Sequence, residues 1–280
     1  MLPKCQCKGC NNVGTVAVPL SRRGDRNAYI CQYHAEQLEA YSRENQTRLG
    51  TVKVNGFTFS QELETSYSDI VARMELLASG YLPTMDITVD CEYKSAITNG
   101  LNSLAKHCVT IDRLIANGNL SVTDTSSYEV GTHLHIGHTD HIKPETIRYI
   151  ARFYHSLFTP LSEAMKSDPQ KTANLFGRYF GQWAQPINAN SDPIAHSNFI
   201  NLQHDYTIEF RILKYQNASQ YMKAVHFCKD ATTTIINNFI AHFNDEPKDK
   251  RRYPTITAYR RHKAQTTAKK LVALFEKYTA

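Results

Sequence analysis

The chain has 280 residues, a net charge of +6 at pH 7 and 41% hydrophobic residues. This length suits one large domain or two ordinary ones, and the apolar fraction is enough for a sizeable core. The apolar runs fall far short of the ~20 residues that span a bilayer, so we expect no membrane segment. The first residues, MLPKCQCKGC, lack the features of a secretory signal, which predicts a cytoplasmic protein.

Paired metal-binding residue types lie near the amino terminus. Cys7-x-x-Cys10 is followed, after 20 residues, by Cys31-x-x-His34. Thiolates and imidazoles suit Zn²⁺, and four protein ligands leave no open position, so the spacing predicts a structural zinc site. Cys5 with Cys10 is an alternative pairing that the spacing leaves open. Residues 1–45 are therefore predicted to form a zinc-knuckle module that depends on its metal to fold. An odd number of cysteines, seven, argues against a disulfide framework.

The predicted elements begin inside this module. The segment between the two ligand pairs predicts a hairpin with Gly24-Asp25 near its turn, and HAEQLEAYSRE predicts a helix after it. Alternating strands and helices then indicate one main domain over residues 46–280. We expect a strand at KVNGFTFSQELET, a helix at SDIVARMELLASG capped by Ser68 or Asp69, a strand at MDITVDCEY and a helix at GLNSLAKHCVTIDRLIANG.

The second half continues the alternation. The strand EVGTHLHIGHTD precedes a helix that Pro144 opens and that Pro160 kinks or splits, and KTANLFGRYFGQW predicts a further helix. DYTIEFRILKY predicts another strand. The segment ASQYMKAVHFCKDATTTIINNFIAHF predicts a long buried helix, and residues 264–279 predict a last amphipathic one. These spacings fit an α+β or an α/β domain and do not choose between them.

Four predicted strands carry ionisable side chains on one face, because side chains alternate along a strand. These residues are Glu62 and Glu64, then Asp86, Asp90 and Glu92, then His133 and His135, then Glu209 and Arg211. For any single strand the simpler interpretation is a half-buried sheet with its polar face in solvent. Taken together, carboxylates and imidazoles are ligands that Mg²⁺ or Mn²⁺ accepts, and an arginine beside them suits phosphate.

The order of these motifs resembles a known family. FTFSQELET, MDITVDCEYKSA, GTHLHIG and TIEFRILKY resemble, in turn, the motif strands of the amidoligase family, a branch of the glutamine synthetase and glutamate-cysteine ligase superfamily of carboxylate-amine ligases. The resemblance covers about residues 52–240. It implies an α+β fold with a curved antiparallel sheet of the glutamine-synthetase type, flanked by helices, with the zinc module added in front.

The resemblance also implies an activity. It is ATP-dependent formation of an amide or peptide bond between a carboxylate and an amine, through an acyl phosphate, with Mg²⁺ or Mn²⁺. The substrates would be small molecules or proteins, and one branch of the superfamily forms rings, so an oligomer is compatible with it. The implied residues are Glu62, Glu64, Glu92, His133 and Glu209 at the metal, Glu62, His135 and Arg211 at the nucleotide, and Glu64, Glu92 and Arg211 in catalysis, with Asp86 matching a preceding acid.

Two other functions fit the sequence less well. The basic segment KDKRRYPTITAYRRHKAQTTAKK is most simply a solvated helix face, but together with the zinc module it suits a nucleic-acid-binding or protein-binding factor without ligase activity. A metal-dependent hydrolase or nuclease is the third hypothesis, because the same ligands could activate water.

Overall fold

The computed structural model describes residues 3–20, 25–51, 56–84, 89–247, 249 and 251–280, and only the backbone of residues 47–51. The predicted positions Gly24, Asp86, Lys248 and Lys250 lie outside the described residues, as do residues 53–55 and 85–88 of two predicted strands. Within the described ranges no helix is long and apolar enough to cross a membrane. Contacts divide the chain into a first unit of Met1–Val54, Phe59–Thr132 and Tyr215–Ala218, and a second unit of Asn55–Thr58, His133–Lys214 and Ser219–Ala280. The predicted domain boundary after residue 45 stays a prediction.

The first unit combines short antiparallel strands with helices. Its elements, with all but the first two residues of β3, are β1 (Val16–Pro19), β2 (Asn27–Ile30), α1 (Gln32–Thr51), β3 (Phe57–Thr65), β4 (Tyr67–Ser68), α2 (Ile70–Ala78), β5 (Tyr81–Thr84), β6 (Cys91–Ser95), α3 (Leu101–Ala116) and β7 (Leu120–Ser121). β1 pairs with β2, β4 pairs with β7, and β6 pairs with both β5 and β3, always antiparallel. The predicted hairpin and the predicted helices of this region are confirmed.

The ends of α2 show why the chain folds locally as it does. The Asp69 carboxylate accepts a hydrogen bond from the Ala72 N–H at 2.9 Å, which satisfies an amide in the first turn. Of the two predicted caps, Asp69 therefore fills the position, and Ser68 belongs to β4. Gly80, with φ of +95°, adopts the left-handed conformation that ends the helix. The strand β5 was missed, because four residues containing Pro83 read as a loop.

A buried polar network ties Tyr215 and Ala218 to α3. The Tyr215 hydroxyl donates to Asp112 Oδ1 at 2.8 Å, and the Ala218 N–H lies 3.1 Å from each carboxylate oxygen of Asp112. Tyr215 is 2% exposed, so water does not replace a lost partner there. Asp112 thus serves as the amino-terminal cap of the helix that begins at Ala218.

We expect Asp112→Ala to lower the free energy of unfolding by about 1 to 2 kcal/mol, because it removes the cap of the Ala218 amide, while the Tyr215 hydroxyl keeps the Cys108 carbonyl at 2.8 Å as its acceptor. Urea unfolding measures this loss. Asp112→Asn keeps one acceptor oxygen and is the matched control, with a smaller expected loss. Equal losses in the two variants would contradict the assigned network.

The second unit contains a three-stranded antiparallel segment and five helices within the described residues. Its elements are β8 (Thr132–His138), α4 (Pro144–Arg152), α5 (Tyr154–Ser167), α6 (Pro169–Phe176), β9 (Ile200–Asn201), β10 (Thr207–Phe210), α7 (Ala218–Asn238), a 3₁₀ turn (Ile240–His242) and α8 (Ile256–Thr279). β10 pairs with β8 on one side and with β9 on the other. α5 packs along α8. The predicted strands and the long helix α7 are confirmed.

Two helix predictions need correction. The helix opened by Pro144 breaks at Phe153, whose N–H bonds the Ile150 carbonyl at 3.0 Å in a tightened last turn, and Pro160 lies inside α5. The helix predicted over KTANLFGRYFGQW ends at Gly177, which has φ of +82°. A Cβ on Gly177 would collide with the Lys214 carbonyl, so the chain requires glycine at this point.

The architecture is a mixed α/β chain whose named strands pair antiparallel, as the predicted α+β class requires. The curvature and the glutamine-synthetase type of the sheet stay predictions.

Candidate functional site

The first unit holds a compact cluster of soft ligands. Cys31 Sγ lies 3.2 Å from His34 Nδ1 and 3.8 Å from Cys10 Sγ, and Cys5 Sγ lies 3.5 Å from His34 Nδ1. All four ligand atoms lie within 4.8 Å of one another. Two sulfurs bound to one tetrahedral Zn²⁺ at ~2.3 Å are ~3.8 Å apart, so these distances fit a single ion. Cys5, Cys10, Cys31 and His34 could therefore hold zinc.

Cys7, which the knuckle spacing predicts as a ligand, is not in this group. Its carbonyl accepts the Cys10 N–H at 3.1 Å, so the Cys7-x-x-Cys10 turn forms and orients the Cys10 side chain towards the cluster. Burial, and then the neighbouring Cys5, raise the pKa of Cys7 to about 12. The geometry favours Cys5, the pairing that the spacing left open.

The cysteine–histidine cluster connects the β1–β2 hairpin to the start of α1. Cys31 directly follows the buried end of β2, and His34 lies in the first turn of α1. Ala28 and Ile30 of the hairpin share an apolar core with Leu38, Ile70 and Leu77. A zinc ion would fix the turn before the hairpin against the start of the helix, and the apolar contacts would hold the rest.

A second group of ionisable side chains lies on β3 and β6 in the first unit. Glu62 is directly opposite Lys94, and Glu64 is directly opposite Glu92. Lys94 Nζ lies 2.8 Å from Glu62 Oε1 and 3.5 Å from Glu92 Oε1. The Glu64 carboxylate accepts the Gly131 N–H. The predicted alternation therefore brings the acids of two motifs to one face, with an ammonium between two of them.

Burial sets the charge of this group. Glu92 is 6% exposed, and burial followed by the nearby Glu62 charge raises its pKa to about 7, against the opposing effects of Lys94 and Thr84. Burial disfavours the charge of Lys94, but Glu62 and Glu92 outweigh it and raise the Lys94 pKa. A divalent cation would stabilise both carboxylates as anions, but in this structure the Lys94 ammonium lies between them.

Asp90, the third predicted acid near β6, forms an ion pair. Its carboxylate bonds Arg26, and burial raises its pKa despite that partner. The Arg26 guanidinium also lies over the Tyr67 ring, 4.6 Å from its centre. Asp90 thus fixes the segment before β6 to the zinc-binding module.

The second unit carries the histidine and Glu-x-Arg motifs on paired strands. Glu209 of β10 is directly opposite His135 of β8 and is 1% exposed. Arg211 Nη1 lies 2.7 Å from Glu209 Oε1, and His133 Nδ1 lies 3.5 Å from the same oxygen. The prediction that His133 and His135 share one face is confirmed, and Glu209 lies on that face beside them. Arg211 neutralises the buried carboxylate.

Sequence reasoning missed two residues. Lys94 lies next to the predicted acids, and no motif indicated that its ammonium would contact Glu62 and Glu92. His204 lies in the turn between β9 and β10, with Nε2 3.9 Å from Glu209 Oε2 and its ring 4.9 Å from the His135 ring. The segment QHDY gives no strand period, so nothing in the sequence placed this imidazole near Glu209.

No protein-family model and no curated protein matches this chain. One solved structure, described as a novel glutamine synthase homolog, is similar to it with a TM-score of 0.31 and 12% sequence identity, over 87% of this chain and 67% of that one. A similarity this slight supports neither a fold family nor an activity.

Proposed function

We propose that the chain is an ATP-dependent carboxylate-amine ligase whose catalytic domain is residues 46–280. The observation that carries the proposal is the burial of acids at the motif positions within each unit: Glu64 and Glu92 in the first, Glu209 in the second. Buried carboxylates are costly without cations, and these lie beside lysine, arginine and imidazole groups that suit a metal-nucleotide substrate.

The proposed roles follow the motifs. Glu62, Glu64, Glu92, His133 and Glu209 would be the metal ligands. His135, Arg211 and, through the metal, Glu62 would hold the nucleotide. Mg²⁺ or Mn²⁺, when bound, would neutralise the negative charge of the triphosphate.

The proposed reaction has two steps. An oxygen of the substrate carboxylate attacks the γ-phosphorus of ATP, the bond to ADP breaks, and an acyl phosphate forms. The amine nitrogen then attacks the acyl carbon, phosphate leaves, and the nitrogen loses a proton. Arg211 would stabilise the charge that spreads over the phosphoryl oxygens, and Glu64 and Glu92 would hold the cation that keeps that group in position.

The test is ADP and phosphate release by the full chain with ATP, Mg²⁺ and mixed pools of carboxylates and amines. We expect release to require both pools and to fall by about a thousandfold or more in a Glu64→Gln, Glu209→Gln double variant. The matched control is Glu163→Gln, an exposed acid on α5 paired only with Lys166 in the described contacts. Unchanged turnover in the double variant overturns the proposal, and ATP hydrolysis without amide formation favours a hydrolase instead.

A second function, nucleic-acid binding, rests on one observation: Lys269 and Lys270 are adjacent and exposed on α8. If this surface binds a nucleic acid, a Lys269→Gln, Lys270→Gln variant will bind more weakly and its affinity will depend less on salt. Fluorescence anisotropy with a labelled oligonucleotide measures both effects. Lys106→Gln, an exposed lysine on α3, is the control, and equal affinity in the two variants excludes this role for α8.

A further inference from the structure

A group of three side chains in the second unit has the composition of a transition-metal site. His135, His204 and Glu209 each offer a ligand atom within 4.8 Å of the other two. They come from β8, from the turn before β10 and from β10 itself. We infer that these residues form a site for a late first-row transition-metal dication, such as Fe²⁺, Co²⁺ or Zn²⁺.

The separations between the ligand atoms fit one shared ion. His135 Nε2 lies 4.0 Å from Glu209 Oε1, and His204 Nε2 lies 3.9 Å from Glu209 Oε2. Both distances are too long for a hydrogen bond. Two ligand atoms that each lie ~2.1 Å from one ion are separated by up to ~4.2 Å, so only small side-chain movements are needed for all three to bind.

The backbone presents these ligands from fixed positions. Glu209 pairs directly with His135 on one side and with Asn201 on the other. The Asn201 side chain accepts the Gln203 N–H at 2.8 Å, which shapes the turn that carries His204 back towards the strand. Asn201 is fully buried, so this turn begins from a rigid point.

The donor set determines the class of metal. Two imidazoles and one carboxylate suit Fe²⁺, Co²⁺ or Zn²⁺, whereas Mg²⁺ prefers oxygen ligands and keeps its waters. Arg211 lies 2.7 Å from Oε1, while Oε2 faces His204, which is 51% exposed. Three protein ligands leave open coordination positions on the exposed side for water or a substrate oxygen.

The test is a Co²⁺ titration of the full chain whose thiolate cluster has first been filled with one equivalent of Zn²⁺. We expect one further equivalent to bind, with weak visible bands and no sulfur-to-cobalt charge transfer, and a large excess of Mg²⁺ should not displace it. His204→Ala should weaken this binding at least about tenfold. Because His204 is half exposed, the variant is expected to melt like the wild type.

His196→Ala is the matched control, since His196 is an exposed histidine in the same loop region, and it should bind Co²⁺ as the wild type does. Absence of the extra equivalent, wild-type affinity in His204→Ala, or displacement by Mg²⁺ would each overturn the inference. The site shares His135 and Glu209 with the proposed ligase, so the inference assigns Glu209 a transition metal in place of Mg²⁺, and the titration tests that metal alone because it contains no ATP. Loss of ligase turnover with intact Co²⁺ binding would refute only the ligase.

Discussion

Loss of bound zinc and unfolding of the zinc-binding module are the expected results of Cys31→Ser. Cys31 lies closest to the other ligands, 3.2 Å from His34 Nδ1 and 3.8 Å from Cys10 Sγ. Without the ion, the segment from Cys5 to His34 keeps only a short hairpin and a small apolar cluster. Structural zinc ions contribute on the order of 10 kcal/mol to modules that fold around them, so we expect a destabilisation of at least ~3 kcal/mol.

Metal analysis of the purified full chain, urea unfolding and limited proteolysis of residues 1–45 measure this result. Cys5→Ser and Cys7→Ser form the decisive pair, because the geometry predicts zinc loss in the first and retained zinc in the second. The reverse outcome would assign the site to Cys7 and contradict the ligand set. A wild-type protein without zinc would refute the site itself.

Glu92→Gln is expected to stabilise the protein above pH 7 and to have little effect below pH 4.5. The pKa of Glu92 is raised from 4.5 to about 7 in the folded protein, so the folded state binds this proton more tightly than the unfolded state. Stability therefore falls as the pH rises through this window, and the full cost is present above it. Ionisation of Glu92 therefore lowers the free energy of unfolding by at most about 3 kcal/mol. A glutamine at this position carries no charge and avoids this loss.

Urea unfolding of the wild type and the variant across this pH range measures the difference. Glu163→Gln replaces an exposed acid and should show no such trend. A Glu92→Gln effect of the same size at both ends of the range would contradict the raised pKa. Added Mg²⁺ should narrow the gap above pH 7 if Glu62 and Glu92 hold the ion, because a bound cation stabilises the charged form in the wild type alone.

Strand periodicity made much of the candidate site predictable. Alternation placed His133 and His135 on one face of β8, because a strand with one buried face has a fixed parity. The same reasoning placed Glu62 with Glu64, and Asp90 with Glu92, on one face of each strand, but it did not predict that Glu209 lies opposite His135 or that Glu64 lies opposite Glu92. Sequence spacing could not choose between Cys5 and Cys7, since both lie within reach of a short turn and only the path of the backbone decides which sulfur joins the cluster.

Other features depended on contacts that no local pattern contains. His204 and Lys94 belong to their clusters through pairing between strands, and neither lies in a recognisable motif. The predicted ends of two helices were wrong for similar reasons. The break at Phe153 accompanies ring contacts with Tyr149 and Phe239, and the end of α6 follows from the Lys214 carbonyl close to Gly177. At Phe153, tertiary packing determines where the helix ends, whereas Pro160 does not interrupt α5.

The placement of Tyr215–Ala218 in the first unit has a practical consequence for producing fragments of this chain. A fragment that stops after residue 132 would contain Asp112 but neither Tyr215 nor Ala218, its two hydrogen-bonding partners. Each unit is discontinuous in sequence, so no single cut yields either of them whole. Split halves should regain native stability only when co-expressed.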